Sequence, residues 1–228
     1  LSPLQRLIQQ PQISNNDKEK LEVIYRNANR MNYLINELLT FSKIEMKQMR
    51  ISVRKGDIMH FLEELSHIFD IVAGEREIDF IVNLEDTEEE VWFSPSKLER
   101  ILYNLLSNAF KYTQPGGYVK LSAKLIKEEK GTFVQISVKD NGRGIPKEAQ
   151  EQIFESYYQV EKRDHREGFG LGLSLTRSLI HMHKGEIRVE SEINKGSDFI
   201  VTLNVSEDAY GPDERSSENI TTEEIQKY

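Results

Sequence analysis

The spacing of apolar residues changes near residue 48, and this change restricts the fold more than any other feature of the chain. Before it, apolar residues recur every three or four positions, as they do along the buried seam of a coiled coil or helical bundle. The seam consists of Leu21, Ile24, Ala28, Met31, Ile35 and Leu38. Flanking apolar residues widen the stripe, which favours a four-helix bundle over a two-stranded coiled coil. One hairpin cannot form such a bundle, so the pattern predicts a homodimer of helical hairpins.

Residues from about 51 to 206 mix strand-type alternation with helical periods. The predicted strands are 51–54, 78–84, 90–93, 118–127, 132–139, 186–193 and 198–205, and the predicted helices are 57–73, 95–111, 147–153 and 171–184. Short connections between strands favour a mixed or largely antiparallel sheet with helices on one face. We therefore predict an α+β fold in three parts. They are a truncated antiparallel helical hairpin (1–48), a two-layer α/β sandwich (49–206) and an acidic linker or tail (207–228).

The composition excludes several classes of function. The 228 residues carry a formal charge of −8 and no cysteine. Disulfides and thiolate metal sites are therefore excluded, and a basic nucleic-acid-binding face has no support. No apolar run is long enough to cross a bilayer, so we expect no direct membrane contact. The chain begins with Leu1 rather than Met, and we expect it to be a fragment of a longer protein.

The first motif that could carry chemistry lies on the predicted helix 95–111. Asn104, Asn108 and Lys111 fall at positions i, i+4 and i+7, which places them on one face of that helix. An amide oxygen suits Mg²⁺, and an ammonium group suits phosphate. A solvated polar face with two incidental amides would explain the same pattern equally well.

The second motif follows a strand in which apolar residues alternate from residue 134 to 138. Asp140 continues their parity, so its carboxylate should point in the direction of the core. A buried carboxylate needs a partner, and an adenine amine would supply one. Gly142 and Gly144 would let the backbone approach a flat ring closely. A plain Asp-Asn-Gly turn is the alternative explanation.

The third motif is a set of alternating glycines, Gly168, Gly170 and Gly172, at the start of the predicted helix 171–184. Glycines at a helix start expose backbone N–H groups to an anion, and the helix dipole adds to the attraction. The spacing matches neither the dinucleotide fingerprint nor a P-loop. The preceding stretch 155–168 is polar and aperiodic, which is typical of a long functional loop.

Each motif has an ordinary structural explanation, but their order and spacing together resemble the N, G1, F, G2 and G3 boxes of sensor histidine kinases. The series runs Asn-x₃-Asn-x₂-Lys-Tyr, Asp-x-Gly-x-Gly, Phe154, Gly-x-Gly-x-Gly-Leu and Gly196-Ser197. Residues 38–45 also look like part of the second helix of their dimerisation and phosphoacceptor domain. The resemblance covers residues 1–206 and implies a two-component catalytic core with a Bergerat-type ATP-binding domain.

The resemblance also implies roles for individual residues. Asn108 would coordinate Mg²⁺ with Asn104 nearby, and Lys111 would contact phosphate, which makes these three the catalytic set. Tyr112 would lie along the adenine, whose amine Asp140 would bind. The full implied ATP site is Asn108, Lys111, Tyr112, Asp140, Gly142, Gly144, Ile145, Gly168, Phe169, Gly170, Leu171, Gly172, Leu173 and Ser197. Phe169 stands where a small hydroxyl residue is expected, and Ser197 replaces the commoner Thr.

Asn104 bears on which reaction follows ATP binding. Gyrase-type and MutL-type ATPases and anti-sigma-factor serine kinases of the same fold place a Glu there as general base. An amide cannot accept a proton at neutral pH. Asn104 therefore favours transfer of the γ-phosphoryl group to a nucleophilic histidine over ATP hydrolysis. A serine kinase or ATPase of this fold and a degenerate ATP-binding or scaffold module remain the alternatives.

The phosphoacceptor histidine is the main departure from the family pattern. That histidine is followed by an acidic residue and then by Thr-Pro, a context that none of the histidines in this chain has. They are His60, His67, His165, His181 and His183. We expect the acceptor to lie a few residues upstream of Leu1, so this fragment would not autophosphorylate. The resemblance further implies relay to a response-regulator receiver domain and a cytoplasmic position in a membrane-anchored bacterial sensor.

Overall fold

The computed structural model of the chain describes residue 6 and residues 15–46, 48–87, 89–160 and 170–225. The first helix of the predicted hairpin falls on residues 1–14 and thus, apart from Arg6, lies outside the described residues. Helix α1 (Asn15–Glu45) is 31 residues long. Within the described ranges, no helix combines the length and the apolar character needed to cross a membrane.

Helix α1 exposes much of the seam that the sequence pattern predicts. Ile24, Met31, Ile35 and Leu38 are all more than half exposed in the single chain. The helix carries Asp17 in its first turn and Lys43 in its last turn, and both charges interact favourably with the helix dipole. These dipole interactions are local to the helix, whereas much of its apolar stripe is exposed in the single chain.

The rest of the chain is built around a five-stranded mixed sheet with the strand order β2-β4-β5-β7-β6. Strands β2 and β4 are parallel, and all other neighbours are antiparallel. The strands are β1 (Arg54–Asp57), β2 (Asp79–Leu84), β3 (Glu90–Phe93), β4 (Tyr118–Glu128), β5 (Gly131–Asp140), β6 (Glu186–Glu192) and β7 (Gly196–Asn204). Strands β1 and β3 form a separate antiparallel pair. The predicted mixed sheet is confirmed.

Three long helices, α2 (Ile58–Arg76), α3 (Pro95–Tyr112) and α4 (Gly172–Met182), pack on one side of the large sheet. Alternating apolar residues of β5 (Val134, Ile136, Val138) face them and are almost fully buried. Helix α2 begins after Asp57, whose side chain accepts a hydrogen bond from the His60 N–H at 3.0 Å, whereas no side-chain hydrogen bond caps the start of α3 or α4. The two-layer α+β architecture is confirmed, and it brings the ends of β5 and β7 next to α3 and α4.

Two predicted elements differ from the structure. Strand β1 occupies Arg54–Asp57 rather than residues 51–54, because only those four residues pair with β3. The predicted helix 147–153 is replaced by two 3₁₀ turns, Lys147–Ala149 and Gln152–Phe154. Between them, the Gln150 side-chain amide donates to the carbonyl oxygens of Ile145 and Ser191, and these contacts tie the interruption to the loop that follows β5.

The segment 207–225, which the sequence pattern indicates to be a linker, packs against the domain, and we call it the C-terminal strap. Its backbone pairs with the chain before β1: the Val53 N–H donates to the Glu214 carbonyl at 2.8 Å, and the Ser216 N–H donates to the Val53 carbonyl at 2.9 Å. Tyr210, Ile220 and Ile225 are its buried side chains. Ile220 lies against Gly56, where a larger residue would collide with it. The strap ends in a short helix, α5 (Thr222–Ile225).

Candidate functional site

A cavity of about 440 Å³ opens between α3, the adjoining ends of β5 and β7, and the start of α4. Its volume is in the range of sites for small molecules and cofactors. Most of the residues predicted from the motifs lie together on its wall. They are Asn104, Asn108, Lys111, Tyr112, Asp140, Gly144, Ile145, Gly170, Gly172, Leu173 and Ser197.

Helix α3 presents three polar side chains to this cavity because its opposite face is apolar and buried. Asn104, Asn108 and Lys111 follow one another at one-turn intervals along the cavity side. The Asn104 amide donates to the Thr176 hydroxyl of α4 at 2.8 Å, which fixes its orientation. The Lys111 ammonium donates to the Tyr112 hydroxyl at 3.1 Å. This face therefore offers amide oxygens and one positive charge to a ligand.

Asp140 is the buried acid of the cavity. Its side chain is 4% exposed, and its carboxylate accepts a hydrogen bond from the Gly142 N–H at 2.8 Å. Burial raises the pKa of Asp140 above its usual value, while backbone hydrogen bonds from Gly142 and Ser197 act in the opposite direction. Because burial disfavours the charged form, a ligand that donates hydrogen bonds to this carboxylate would recover part of the lost solvation.

The loop after β5 is held by a hydrogen-bond network that the motifs did not indicate. The Ile145 N–H donates to the Ser191 hydroxyl at 2.8 Å, and that hydroxyl lies 3.0 Å from the Ser197 hydroxyl. Ser191 lies in β6 on the same face as Ile187 and Val189, and none of the motifs includes it. The network fixes Gly144 and Ile145 on the cavity wall.

Gly142 does not line the cavity, and its expected place in the ATP site stays a prediction. A side chain there would collide with the Tyr112 carbonyl, and one at Gly144 would collide with the Glu192 carbonyl. Both glycines therefore allow two backbone segments to pack closely. Gly144 also reaches the cavity, whereas Gly142 contributes its N–H to Asp140.

The structure describes Gly170 and Gly172 of the glycine motif, whereas Gly168 and Phe169 lie outside the described residues. Gly170 has a φ of +72°, and its carbonyl accepts a hydrogen bond from the Tyr157 N–H at 2.9 Å. Gly172 packs against the Asn104 side chain, where a Cβ would come within 2.5 Å of the amide oxygen. Leu171 is buried and does not line the cavity, and its expected place in the ATP site stays a prediction.

Arg143 and Glu37 line the cavity without having been predicted from the motifs. The Arg143 guanidinium lies over the Tyr112 ring at 4.3 Å from its centroid, an arrangement favoured by cation–π attraction. Glu37 comes from helix α1 and is only 5% exposed. Phe154 packs edge-on against Phe199, with ring centroids 6.4 Å apart, which is ordinary core packing.

The donor set of the cavity suits a magnesium ion that is bound mainly through a ligand's phosphate oxygens. The described residues contain no group of three or more His, Asp or Glu side chains that could hold a metal ion. Mg²⁺ commonly uses only one or two protein ligands together with substrate phosphates and waters. The Asn108 amide oxygen is a compatible ligand of this kind.

Comparison with known proteins gives a consistent result. Residues 93–207 match the family described as histidine kinase-, DNA gyrase B- and HSP90-like ATPases. Histidine kinase P4 of Formosa agariphila is 34% identical over 208 residues, which cover 89% of this chain and 15% of that protein. Sensor histidine kinase WalK of Bacillus subtilis is 34% identical over 190 residues, which cover 82% of this chain and 31% of that protein. The chain thus spans less than a third of either relative.

Among solved structures, full-length ShkA in complex with AMPPNP is similar over 90% of this chain and 43% of that one. The TM-score is 0.75 at 24% sequence identity, which shows a shared fold. Among the described residues, every one that lines the cavity except Glu37 lies in the segment that matches the family, 93–207. The site is therefore a property of the family domain, and Glu37 is an addition from the helix that precedes it.

Proposed function

Since the chain belongs to the family of histidine kinase-, DNA gyrase B- and HSP90-like ATPases and is the catalytic core of a histidine kinase, we propose that it binds ATP with Mg²⁺ in this cavity and transfers the γ-phosphoryl group to a histidine. One observation carries the proposal. The buried carboxylate of Asp140 lies in the same cavity as the amide of Asn108 and the ammonium group of Lys111. One ligand can therefore reach both a hydrogen-bond acceptor for its nucleobase and hydrogen-bond donors for its phosphates.

The residues divide the work by their chemistry. Asp140 accepts a hydrogen bond from the adenine amine. The site selects adenine because the Gly142 N–H holds this acceptor in place. Lys111 and the backbone N–H groups near Gly170 and Gly172 bind the phosphates, with the positive end of the α4 dipole behind them. Asn108 holds the Mg²⁺ ion, whose chemistry is to neutralise charge on the phosphate oxygens.

Asn104 supports phosphoryl transfer to histidine over hydrolysis. Its amide nitrogen donates to Thr176 at 2.8 Å, so the side chain acts as a brace between α3 and α4 and offers no group that accepts a proton. Water or a serine hydroxyl would need such a base, whereas an imidazole already has a nucleophilic lone pair. The serine kinase and ATPase alternatives are not favoured.

We further propose that the acceptor histidine is none of those in this chain. Among the described histidines, His60, His67, His181 and His183 do not line the cavity, and His183 is fully buried; His165 lies outside the described residues. Incubation of this chain with labelled ATP should leave it unlabelled. Stable labelling of the chain as given would contradict this assignment.

The partners follow from the same assignment. A second copy of the chain would cover the apolar stripe of α1, and a response-regulator receiver domain would take the phosphoryl group onto an aspartate. The whole sensor would place this core on the cytoplasmic side of a membrane.

Nucleotide titration of Asp140→Asn tests the proposed function. The substitution keeps an oxygen that can accept from Gly142 but presents an amide donor to the adenine amine. Calorimetric titration with Mg²⁺–AMPPNP should show at least a hundredfold weaker binding, equivalent to about 2.7 kcal/mol. Asp79→Asn, on the exposed edge strand, is the control and should bind as the wild type does.

The folded state should not suffer from Asp140→Asn. Burial raises the pKa of Asp140, so a neutral isostere removes an unfavourable buried charge, and the melting temperature should be equal or higher. Wild-type affinity in Asp140→Asn, or no nucleotide binding by the wild type, would refute the proposed function.

A further inference from the structure

Glu37 is buried on helix α1 although the residues next to it along the chain, 35–36 and 38–39, are exposed. The residue is 5% exposed, whereas Ile35 and Leu38, on either side of it, are 53% and 51% exposed. A glutamate is among the residue types least often buried without a specific reason. Glu37 lies on the wall of the nucleotide cavity together with Asn108 and Lys111. Its burial therefore results from contact between α1 and the α/β domain.

Three contacts hold this half of α1 against the domain. The Arg100 guanidinium of α3 donates to the Thr40 hydroxyl at 2.8 Å. The Phe41 ring meets the Tyr157 ring edge-on, with centroids 6.5 Å apart, and Tyr157 in turn is bound to the Gly170 carbonyl. Ile44 packs on the main core. These contacts lie within two turns of Glu37 and place its carboxylate at the cavity.

A carboxylate at this position conflicts with a triphosphate in the same cavity. Both groups are anions that accept hydrogen bonds, and both suit the ammonium and amide groups of α3. Two like charges repel each other more strongly in a partly buried cavity than in water. The docked position of Glu37 and a bound nucleotide should therefore disfavour each other.

We propose that Glu37 is an intramolecular competitor for the phosphate end of the nucleotide cavity, so that docking of α1 on the domain lowers nucleotide affinity. The inference rests on the proposed function of the cavity. By reciprocity, nucleotide binding displaces the Glu37 segment of α1 to the same extent that the docked segment weakens binding. The position of α1, which carries the apolar stripe, therefore depends on whether the cavity is occupied.

Titration with Mg²⁺–AMPPNP of the wild type, Glu37→Gln and Glu45→Gln tests this role. Glutamine has nearly the same size as glutamate but no charge, and Glu45 is an exposed glutamate on the same helix. Glu37→Gln should bind about tenfold tighter, within the usual range of coupling between sites. Glu45→Gln should bind as the wild type does. Arg100→Ala, which removes the contact to Thr40, should also tighten binding.

Hydrogen exchange supplies a second readout. Backbone amides of residues 36–44 should exchange faster when Mg²⁺–AMPPNP is added to the wild type, and this change should shrink in Glu37→Gln. Unchanged or weaker binding by Glu37→Gln, or slower exchange of these amides with nucleotide, would overturn the inference alone. Absence of nucleotide binding in every variant would overturn the proposed function together with it.

Discussion

Helix α1 and the α/β domain use their apolar residues in opposite ways. In the domain, large side chains such as Phe61 and Leu105 are almost completely buried within one chain. In α1, the seam residues Ile24, Met31 and Ile35 are more than half exposed. The domain therefore holds itself together by its own burial of apolar surface. The helix buries little of this stripe against its own chain, and the proposed second copy would cover it.

The contrast also separates the two regions by what each contributes to the proposed nucleotide site. The nucleotide cavity is assembled from elements of the domain, which fix Asp140 by a buried hydrogen bond and Asn104 by a half-buried one. Of the side chains of α1 that the structure describes, Glu37 is the one that lines this cavity. A rigid site thus adjoins a helix whose position is only partly determined by contacts within the chain, and such weakly held elements are suited to switching.

The largest effect should come from the core of the domain. Phe61 is fully buried and packs against Phe93 with ring centroids 5.2 Å apart. Phe61→Ala should lower the free energy of unfolding by about 3–5 kcal/mol, through lost burial and the cavity that remains. Leu39→Ala, at a site that is 54% exposed on α1, should change it by less than about 0.5 kcal/mol. Chemical denaturation of the domain signal measures both.

Phe61→Leu covers the case in which the alanine variant does not fold. Leucine leaves a smaller cavity and should lower the unfolding free energy by an intermediate amount. Equal costs for the Phe61 and Leu39 substitutions would abolish the distinction between the two regions.

The second effect should appear in association rather than in folding. Leu38→Asp places a charge in the apolar stripe of α1, and a symmetric dimer would contain the change twice. Each lost leucine contact costs about 1.5–3 kcal/mol, so the dimer dissociation constant should rise by about a hundredfold or more. Sedimentation equilibrium measures it, with the exposed Asn36→Asp as the control for charge. A monomeric wild type at every concentration would contradict the proposed partner of α1.

Most of the fold could be predicted from the sequence, because its helices and strands have clear periods. Helix α3 was predicted at 95–111 and is found at Pro95–Tyr112, since its polar and apolar faces are sharply divided. Strand β1 was misplaced because its residues, Arg54–Asp57, have no strand-like alternation. It is a strand only through its pairing with β3, and that partner is more than 30 residues away along the chain.

The C-terminal strap shows the same limit on a larger scale. Its buried residues Tyr210, Ile220 and Ile225 are too far apart to form a period, so an acidic linker was the natural interpretation. What holds it is long-range: the Arg54 guanidinium binds both carboxylate oxygens of Glu224, at 3.2 and 3.1 Å. Contacts of this kind leave no local signal.

The residues of the candidate site could likewise be predicted only where a local sequence pattern places them. Asn108, Lys111 and Asp140 could be predicted because each follows from the parity of one helix or one strand. Glu37 could not, since its burial depends on how α1 lies against another part of the chain. The positions of Gly168 and Phe169 stay predictions.

The smallest effect should be a pH dependence of the free energy of unfolding, which arises in the α/β domain and not in α1. His183 is fully buried: its Nε2 accepts from the Ser94 N–H at 3.2 Å, and its Nδ1 lies 3.0 Å from the Leu179 carbonyl. The ring thus joins the end of α4 to the start of α3 in its neutral form. Desolvation by burial lowers the pKa of His183 to about 4.

The unfolded chain therefore binds a proton between pH 6.5 and about 4 that the folded chain excludes. Stabilisation by neutral His183 is complete above pH 6.5 and is lost as the pH falls toward 4, with a slope of up to about 1.4 kcal/mol per pH unit. Urea denaturation between pH 7 and 4.5 should show this slope, and His183→Gln should flatten it. His181→Gln, at an exposed histidine two residues away, should keep the full slope. An unflattened slope in His183→Gln would show that the buried ring is not its source.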